Sequence, residues 1–284
     1  MAGISGSVEG DGLALTYTEW AATGNGPQLL LLHGIAGSSR DWTPVVEHLL
    51  DRSPGSVSRV VALDARGHGT SDWSDSARYD GDAHFADASL AMDRLAIRNA
   101  VVGGYSMGGG VAMMIAASRP ECLAGLVVAD AYPDPEMSAG SLSIARALAR
   151  WWGEVEERAV SPRSGPWGGS GFDPAIAKTF AEDLSAGRAR RLDLWPFWGA
   201  VACPTLLVRG ALSSVVTSSV ARLMLARQPN AGSVEIPGAG HALLAGAAPA
   251  VSGAIADFLA GLRQERTGAA SDLADPKRPS NGQP

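Results

Sequence analysis

The sequence predicts an α/β protein with a mostly parallel sheet that is flanked by helices. Short apolar segments such as residues 28–32 and 123–130 are typical of strands that are covered on both faces. These segments alternate with helical patterns, as in sheets built from strand–helix–strand units. A glycine-rich turn joins one strand to a helix at residues 104–108. Because parallel strands place their carboxyl ends at one edge of a sheet, we expect the functional residues at that edge.

Composition restricts the class of function. The chain has 284 residues, 46% of them hydrophobic and 18% charged, so it can bury a large core as one domain with an inserted subdomain. A net charge of −6 and the lack of a Lys/Arg-rich run argue against binding to nucleic acid or to an anionic membrane surface. Two distant cysteines, Cys122 and Cys203, predict neither a metal site nor a disulfide framework, and no motif calls for a cofactor.

Targeting signals are not evident in the sequence. Residues 1–5 lack the basic start and apolar core of a secretory signal, and no apolar run approaches membrane-spanning length. We therefore predict a cytoplasmic protein without membrane contact. The sequence carries no indication of its oligomeric state.

The first part of the core is predicted to span residues 1–132. Alternating apolar residues on both sides of Gly12 predict an antiparallel hairpin over residues 5–20. The apolar strand at 28–32 then runs into a glycine-rich turn that begins at His33.

The turn His33-Gly-Ile-Ala-Gly37 leaves backbone N–H groups free at the carboxyl edge of the sheet. The N–H of Ile35 is placed to stabilise an oxyanion, should the neighbouring chemistry need one. An ordinary strand-to-helix turn with a hydrogen-bonded histidine explains the same residues equally well.

The loop after the strand at 58–63 has the sequence Asp64-Ala-Arg-Gly-His-Gly-Thr-Ser71. We expect Asp64 and Arg66 to pair across this compact turn. A structural role is the better interpretation of His68, which should not be mistaken for a catalytic base.

The segment Gly104-Tyr-Ser-Met-Gly108 lies between an apolar strand and a helix, which is the context of a nucleophile elbow. The sharp reversal holds Ser106 in a strained conformation, with its hydroxyl clear of the sheet and near the positive end of the helix. The alternatives are an incidental serine in a tight turn or a phosphate loop. No Gly-Lys-Ser/Thr follows, which argues against the phosphate loop.

Composition changes over residues 133–198, which are rich in proline and tryptophan and show no buried strand. We interpret this stretch as a helical lid inserted into the main sheet. Its tryptophans, among them Trp151, Trp152, Trp167 and Trp195, are expected to pack the lid onto the body and in part to line an apolar pocket.

The sheet is predicted to resume over residues 199–262, and residues 263–284 are polar and predicted to be disordered. The remaining predicted helices cover residues 41–50, 83–95, 138–158, 174–190, 218–227 and 249–262, and the remaining strands cover residues 204–210 and 233–236.

Four motifs in matching order resemble the α/β-hydrolase fold family, and the resemblance extends to about residue 262. They are His33-Gly34…Gly37, Asp64-x-Arg-Gly-His-Gly-x-Ser71, Gly104-x-Ser-x-Gly108 and Gly240-His241. The resemblance implies the α/β-hydrolase fold with an inserted lid. It implies that Ser106 is the nucleophile and His241 the general base, with an oxyanion hole formed by the N–H groups of Ile35 and Met107.

One feature departs from the family pattern. The triad acid of this family usually follows the penultimate core strand, but residues 209–217 contain no carboxylate, and Ser213 or Ser214 occupies its place. Asp130 is the best substitute, because it ends the strand next to that of Ser106 and some family members place their acid there. Its alternative role is to hold the turn that opens the lid.

The predicted function is hydrolysis of a carboxylic ester, lactone or thioester of a hydrophobic or aromatic small molecule through an acyl-enzyme. We further expect His33 and Tyr105, with Trp151, Trp152 and Trp195 of the lid, to contact the substrate. Two alternatives are a cofactor-independent oxygenase or lyase on the same fold, and a ligand-binding protein with a vestigial hydrolase site. The missing acid motivates the second alternative.

Overall fold

Eight strands form one sheet in the computed structural model, which describes residues 3–10, 12–134, 136–157, 171–187 and 192–274, with side chains to residue 264. In chain order the strands are β1 (Ile4–Gly10), β2 (Leu13–Ala21), β3 (Gln28–Leu32), β4 (Arg59–Leu63), β5 (Ala100–Tyr105), β6 (Leu123–Ala129), β7 (Thr205–Gly210) and β8 (Ala231–Ile236).

The strand order across the sheet is β1-β2-β4-β3-β5-β6-β7-β8. Strand β2 runs antiparallel to both of its neighbours, and every other neighbouring pair is parallel. The predicted α/β class, the mostly parallel sheet and the N-terminal hairpin are therefore confirmed. The carboxyl ends of β3, β5, β6 and β7 lie side by side, so the loops that follow these strands meet at one edge.

Helices cover both faces of the sheet and one of its edges. They are α1 (Thr43–Arg52), α2 (Gly81–Arg94), α3 (Met107–Ser118), α4 (Ala139–Glu156), α5 (Pro174–Ser185), α6 (Trp195–Ala200), α7 (Ser218–Arg227), α8 (Leu243–Gly246) and α9 (Ala248–Ala274). In the described part of the chain, none of them has the length and hydropathy that a bilayer crossing needs.

Side chains of β3 alternate between two buried clusters, because successive residues of a strand point to opposite faces. Leu30 and Leu32 pack in the cluster that includes residues of α2 and α3. Leu29 and Leu31 pack in the opposite cluster, with residues of α1 and α9. The wholly apolar character of β3 follows from this burial on both faces.

An insertion lies between β6 and β7, and its described residues form the helices α4, α5 and α6. The buried side chains of Leu148 and Ile176 join α4 and α5 in a third cluster, which also contains Ala36 of the turn after β3. The insertion therefore packs over the edge of the sheet where the predicted site lies. Trp167, a predicted lid residue, lies outside the described residues.

The end of the chain differs from its prediction. Helix α9 continues to Ala274, whereas we predicted its end near residue 262 and a disordered tail beyond it. Residues 263–274 are rich in residues that favour helices and contain no proline, so polarity alone does not end the helix. The rest of the predicted tail, residues 275–284, lies outside the described residues.

Gly108 tests how closely the elbow packs against β3. A Cβ at this position would overlap the carbonyl oxygens of Leu32 and His33, which belong to backbone and do not move easily. We expect Gly108→Ala to lower the free energy of unfolding by about 1–3 kcal/mol or more, measured by urea denaturation.

Gly253→Ala is the matched control. Gly253 lies in α9 with open space around its Cα, so alanine should stabilise the helix by about 0.5–1 kcal/mol. Equal effects of the two substitutions would contradict the close approach of α3 to β3.

Candidate active site

Ser106 lies between the end of β5 and the start of α3 with φ 52° and ψ −116°. This conformation is rare for a residue with a side chain and costs about 1–3 kcal/mol. The flanking glycines make it feasible, because a Cβ on Gly104 would overlap the backbone of Gly108. The turn presents the Ser106 hydroxyl at the carboxyl edge of the sheet.

Three side chains from distant segments form a hydrogen-bonded chain at this edge. Nε2 of His241 lies 3.1 Å from Oγ of Ser106. Nδ1 of the same ring lies 2.7 Å from Oδ2 of Asp130. A carboxylate accepts hydrogen bonds, so Nδ1 carries the proton and Nε2 is free to accept the proton of the Ser106 hydroxyl. The arrangement is that of a nucleophile, a base and an orienting acid.

Asp130 is completely buried, and its carboxylate has further partners. Oγ of Ser213 donates to Oδ2 at 2.5 Å, and the N–H of Gly210 donates to Oδ1 at 3.2 Å. Oγ of Ser213 in turn accepts from the N–H groups of Val215 and Val216, so its own proton is directed to Asp130. The loop that lacks the expected acid thus supplies a hydroxyl that holds the acid of the neighbouring strand.

Two backbone N–H groups beside Ser106 make no hydrogen bond within the described part of the chain, those of Ile35 and Met107. The turn that contains Ile35 lies against Ser106, since a Cβ placed on Gly34 would be 3.2 Å from Cβ of Ser106. Free N–H groups next to a nucleophile are the groups that stabilise an oxyanion.

Three of the loops at this edge contain a non-glycine residue with a positive φ: Ala36 at 57°, Ser106 at 52° and Asp130 at 45°. Such residues persist only where surrounding contacts fix them, and they concentrate at functional sites. Sequence patterns indicated this strain for Ser106 but not for Ala36 or Asp130.

A cavity of about 800 Å³ opens beside Ser106, between the core and the insertion. The loop before α2, with helices α4 and α5, forms much of its wall. Ile176, Phe180 and Leu184 of α5 recur every four residues and all line it. This helical spacing is the signal that sequence analysis missed. Other apolar lining residues include Ile35, Met107, Val111, Met114, Tyr132, Met137, Ile144, Leu192, Leu194 and Val215.

None of the five side chains predicted to contact the substrate lines this cavity, and the structure gives them other roles. His33 is buried and hydrogen-bonded to the backbone of Gly34 and Ala65. The hydroxyl of Tyr105 donates to the carbonyl of His241 at 2.9 Å, and burial, with the nearby Asp130 carboxylate, raises the pKa of Tyr105.

The three tryptophans pack instead of facing the cavity. The ring of Trp151 stacks on Phe172 at 4.8 Å, and Trp152 packs against the same cluster. Arg227 lies 4.2 Å from the ring centroid of Trp195. Their large rings fix the insertion, which is the packing role predicted for the lid tryptophans as a group.

The loop after β4 has the expected structural character, but the predicted pairing of Asp64 with Arg66 is wrong. Asp64 accepts from the N–H groups of Ser39 and Thr70. Although burial raises its pKa, these bonds bring the pKa of Asp64 below the ordinary value. Arg66 instead forms a buried two-point ion pair with Asp87, at 2.6 and 2.7 Å.

Two further histidines lie in the same region but take no part in the hydrogen bonds that connect Ser106, His241 and Asp130. His68 is buried, and its Nδ1 contacts the carbonyl of Arg66 at 2.9 Å. Burial lowers the pKa of His68 far below 6.5 and lowers the pKa of His84 to about 4, so both rings are neutral at pH 7. Within the described residues, no group of three or more His, Cys, Asp or Glu side chains is arranged to hold a metal ion.

Comparison with known families supports the family resemblance that the sequence motifs indicate. The model of the alpha/beta hydrolase family matches residues 29–254. This range includes β3, Ser106, Asp130 and His241, together with the insertion between β6 and β7.

Individual relatives are distant but cover most of the chain. A 3-hydroxybutyrate-oligomer hydrolase from Cupriavidus necator is 28% identical, over 80% of this chain and 87% of its own length. A 2-(acetamidomethylene)succinate hydrolase from Mesorhizobium japonicum is also 28% identical, over 77% of this chain and 82% of its own. The solved structure of a thermophilic esterase from Thermogutta terrifontis superimposes with a TM-score of 0.70 at 24% identity, over 92% of this chain and 99% of that chain.

Removal of the Ser213 hydroxyl should lower the stability of the fold. Ser213→Ala takes a donor from the buried carboxylate of Asp130 and an acceptor from two backbone N–H groups. We expect the free energy of unfolding to fall by about 1–3 kcal/mol, measured by urea denaturation at pH 7.

Ser214→Ala is the control, because the neighbouring serine is exposed. A surface change of this kind should alter the free energy of unfolding by less than about 0.5 kcal/mol. If both variants were as stable as the unchanged chain, the hydrogen bond from Ser213 to Asp130 would not contribute to folding.

Proposed function

Because the chain belongs to the alpha/beta hydrolase family, we propose that it is a serine hydrolase of carboxylic esters, lactones or thioesters. The observation that carries the proposal is the pair of hydrogen bonds that connect Ser106 to His241, at 3.1 Å, and His241 to Asp130, at 2.7 Å, beside a large apolar cavity. Relatives that are named as hydrolases support the general reaction.

In the first half of the proposed reaction, Oγ of Ser106 attacks the carbonyl carbon while Nε2 of His241 takes its proton. The carbonyl oxygen becomes an oxyanion and accepts hydrogen bonds from the N–H groups of Ile35 and Met107. Asp130 stabilises the imidazolium of His241, which then protonates the leaving group. Ser106 is left as an acyl-enzyme.

In the second half, His241 takes a proton from water, and the resulting hydroxide equivalent attacks the acyl-enzyme. Collapse of the second tetrahedral intermediate returns the proton to Ser106 and releases the acid. A carboxylate beside the histidine contributes about 10⁴ in rate to such a cycle, or about 5 kcal/mol. Asp130 supplies that carboxylate, which weakens the case for a vestigial site.

The cavity supports a substrate with an apolar body. Its volume of about 800 Å³ and its many aliphatic and aromatic lining side chains suit a small hydrophobic or aromatic molecule. Arg78, Asp82 and Thr179 also line the cavity, which suits a substrate that carries a polar group as well. The substrate proposed here is therefore an ester, lactone or thioester with an apolar acyl part.

A fluorophosphonate probe tests the nucleophile. We expect the unchanged protein to become labelled on Ser106, as located by peptide mass spectrometry, and Ser106→Ala to remain unlabelled. A folded protein that resists the probe would count heavily against the proposal. Oxygen consumption with an aromatic hydroxyl compound, without added metal or flavin, would instead indicate the oxygenase alternative.

Asp130→Asn tests the acid. Asparagine keeps the volume but lacks the charge that stabilises the imidazolium, so we expect kcat for a p-nitrophenyl ester to fall by about 10⁴. Circular dichroism checks that the variant is folded. Asp257→Asn, at an exposed position of α9 that does not line the cavity, should keep kcat unchanged. Full turnover by Asp130→Asn would exclude Asp130 as the acid.

A further inference from the structure

His33 lies between the end of β3 and the turn that contains Ile35, and only 1% of its surface is exposed. It does not line the cavity beside Ser106. It is therefore not placed to touch a substrate, and any effect on the reaction must pass through its neighbours. Both of its ring nitrogens contact the backbone.

The hydrogen bonds of His33 determine which nitrogen carries the proton. The N–H of Ala65 donates to Nε2 at 3.0 Å, so Nε2 offers a lone pair and is unprotonated. The proton of the neutral ring is then on Nδ1, which lies 2.7 Å from the carbonyl oxygen of Gly34. Nδ1 donates to that carbonyl, because a carbonyl oxygen can only accept.

The carbonyl of Gly34 and the N–H of Ile35 belong to one peptide group. A peptide group is planar, so fixing the carbonyl fixes the direction of the N–H on its other side. Gly34 has no side chain to restrict that plane, and the hydrogen bonds must do so. The N–H of Gly37 donates to the same oxygen at 3.1 Å and adds a second restraint.

Polarisation acts in the same direction as orientation. A hydrogen bond to the oxygen of a peptide group makes its N–H a stronger donor, since chains of hydrogen bonds reinforce one another. The backbone carbonyl of His33 also accepts from the N–H of Gly108 at 3.0 Å. His33 thereby joins the turn of Ile35 to the first turn of α3, where Met107 presents the second free N–H.

We propose that His33 is a positioning residue that orients and polarises the Gly34–Ile35 peptide group, so that its N–H stabilises the oxyanion at Ser106. The proposal rests on the proposed hydrolase function for its effect on turnover. Its effect on the peptide group is independent of turnover.

Two substitutions separate the two nitrogens. In His33→Asn the side-chain amide reaches the position of Nδ1 and still donates to Gly34, but nothing accepts from Ala65. In His33→Gln the side-chain amide reaches the position of Nε2 and accepts from Ala65, but the donor to Gly34 is lost. Both variants lose one buried hydrogen bond, so they are matched in structural cost.

The measurements are kcat and KM for a p-nitrophenyl ester, with the affinity for a trifluoromethyl ketone whose adduct with Ser106 carries an oxyanion. We expect kcat of His33→Gln to fall about ten- to a hundredfold, with KM within about threefold and a parallel loss of ketone affinity. His33→Asn should stay within a few-fold of the unchanged protein in all three quantities. Equal losses in the two variants, or a loss confined to KM, would overturn the proposal.

The amide resonance of Ile35 in a ¹⁵N–¹H spectrum supplies the readout that needs no substrate. We expect it to move in His33→Gln and to remain near its original position in His33→Asn. If it does so while the unchanged protein neither hydrolyses esters nor reacts with a fluorophosphonate, the proposed function fails and the role of His33 in the turn stands. If the unchanged protein is active and the resonance does not distinguish the variants, the role of His33 is wrong.

Discussion

The carboxylate of Asp130 connects three parts of the chain that otherwise meet only at an edge. A buried carboxylate without partners would be strongly unfavourable, because burial removes its hydration. Asp130 has no exposed surface, yet it accepts from Nδ1 of His241, Oγ of Ser213 and the N–H of Gly210. These bonds offset desolvation and at the same time fix the imidazole that faces Ser106. Because the buried carboxylate at the end of β6 needs these partners, it holds the loop after β7 and the loop of His241 in fixed positions around it.

The parallel sheet makes that meeting possible. Strands β3, β5, β6 and β7 are neighbours and point the same way, so the turns after them converge. Three of these turns hold a non-glycine residue with a positive φ, and tertiary contacts offset the strain. The insertion then covers the edge with α4 and α5 and leaves a cavity beside Ser106. The strands thus fix the relative positions of the loops, and the loops carry Ser106, Asp130 and His241.

Local sequence patterns predicted much of the fold and of the candidate site. The apolar stretch of β3, the strand–turn–helix context of Ser106 and the motif that ends in His241 each reflect a constraint within a few residues. The roles of individual side chains were harder to infer. Trp151 and Trp195 were expected near the substrate, but their rings pack against Phe172 and Arg227. Arg66, three positions beyond the end of β4, was expected to pair with Asp64, yet its partner is Asp87 on α2. Such pairings depend on which elements pack together, and no local pattern specifies that.

The sequence by itself determined the strands, the order of the motifs and the elbow at Ser106, because these follow from periodicity and from where glycine is needed. Only the tertiary structure decided that Asp130 faces His241, a residue 111 positions away. It also decided that Ser213, which stands where the acid was expected, donates a hydrogen bond to the Asp130 carboxylate. It also decided that His33 turns toward the backbone of its own loop and not toward the cavity. Hydrogen bonds of this kind depend on distances of a few tenths of an ångström between segments far apart in the chain, and the packing of the whole sheet sets those distances.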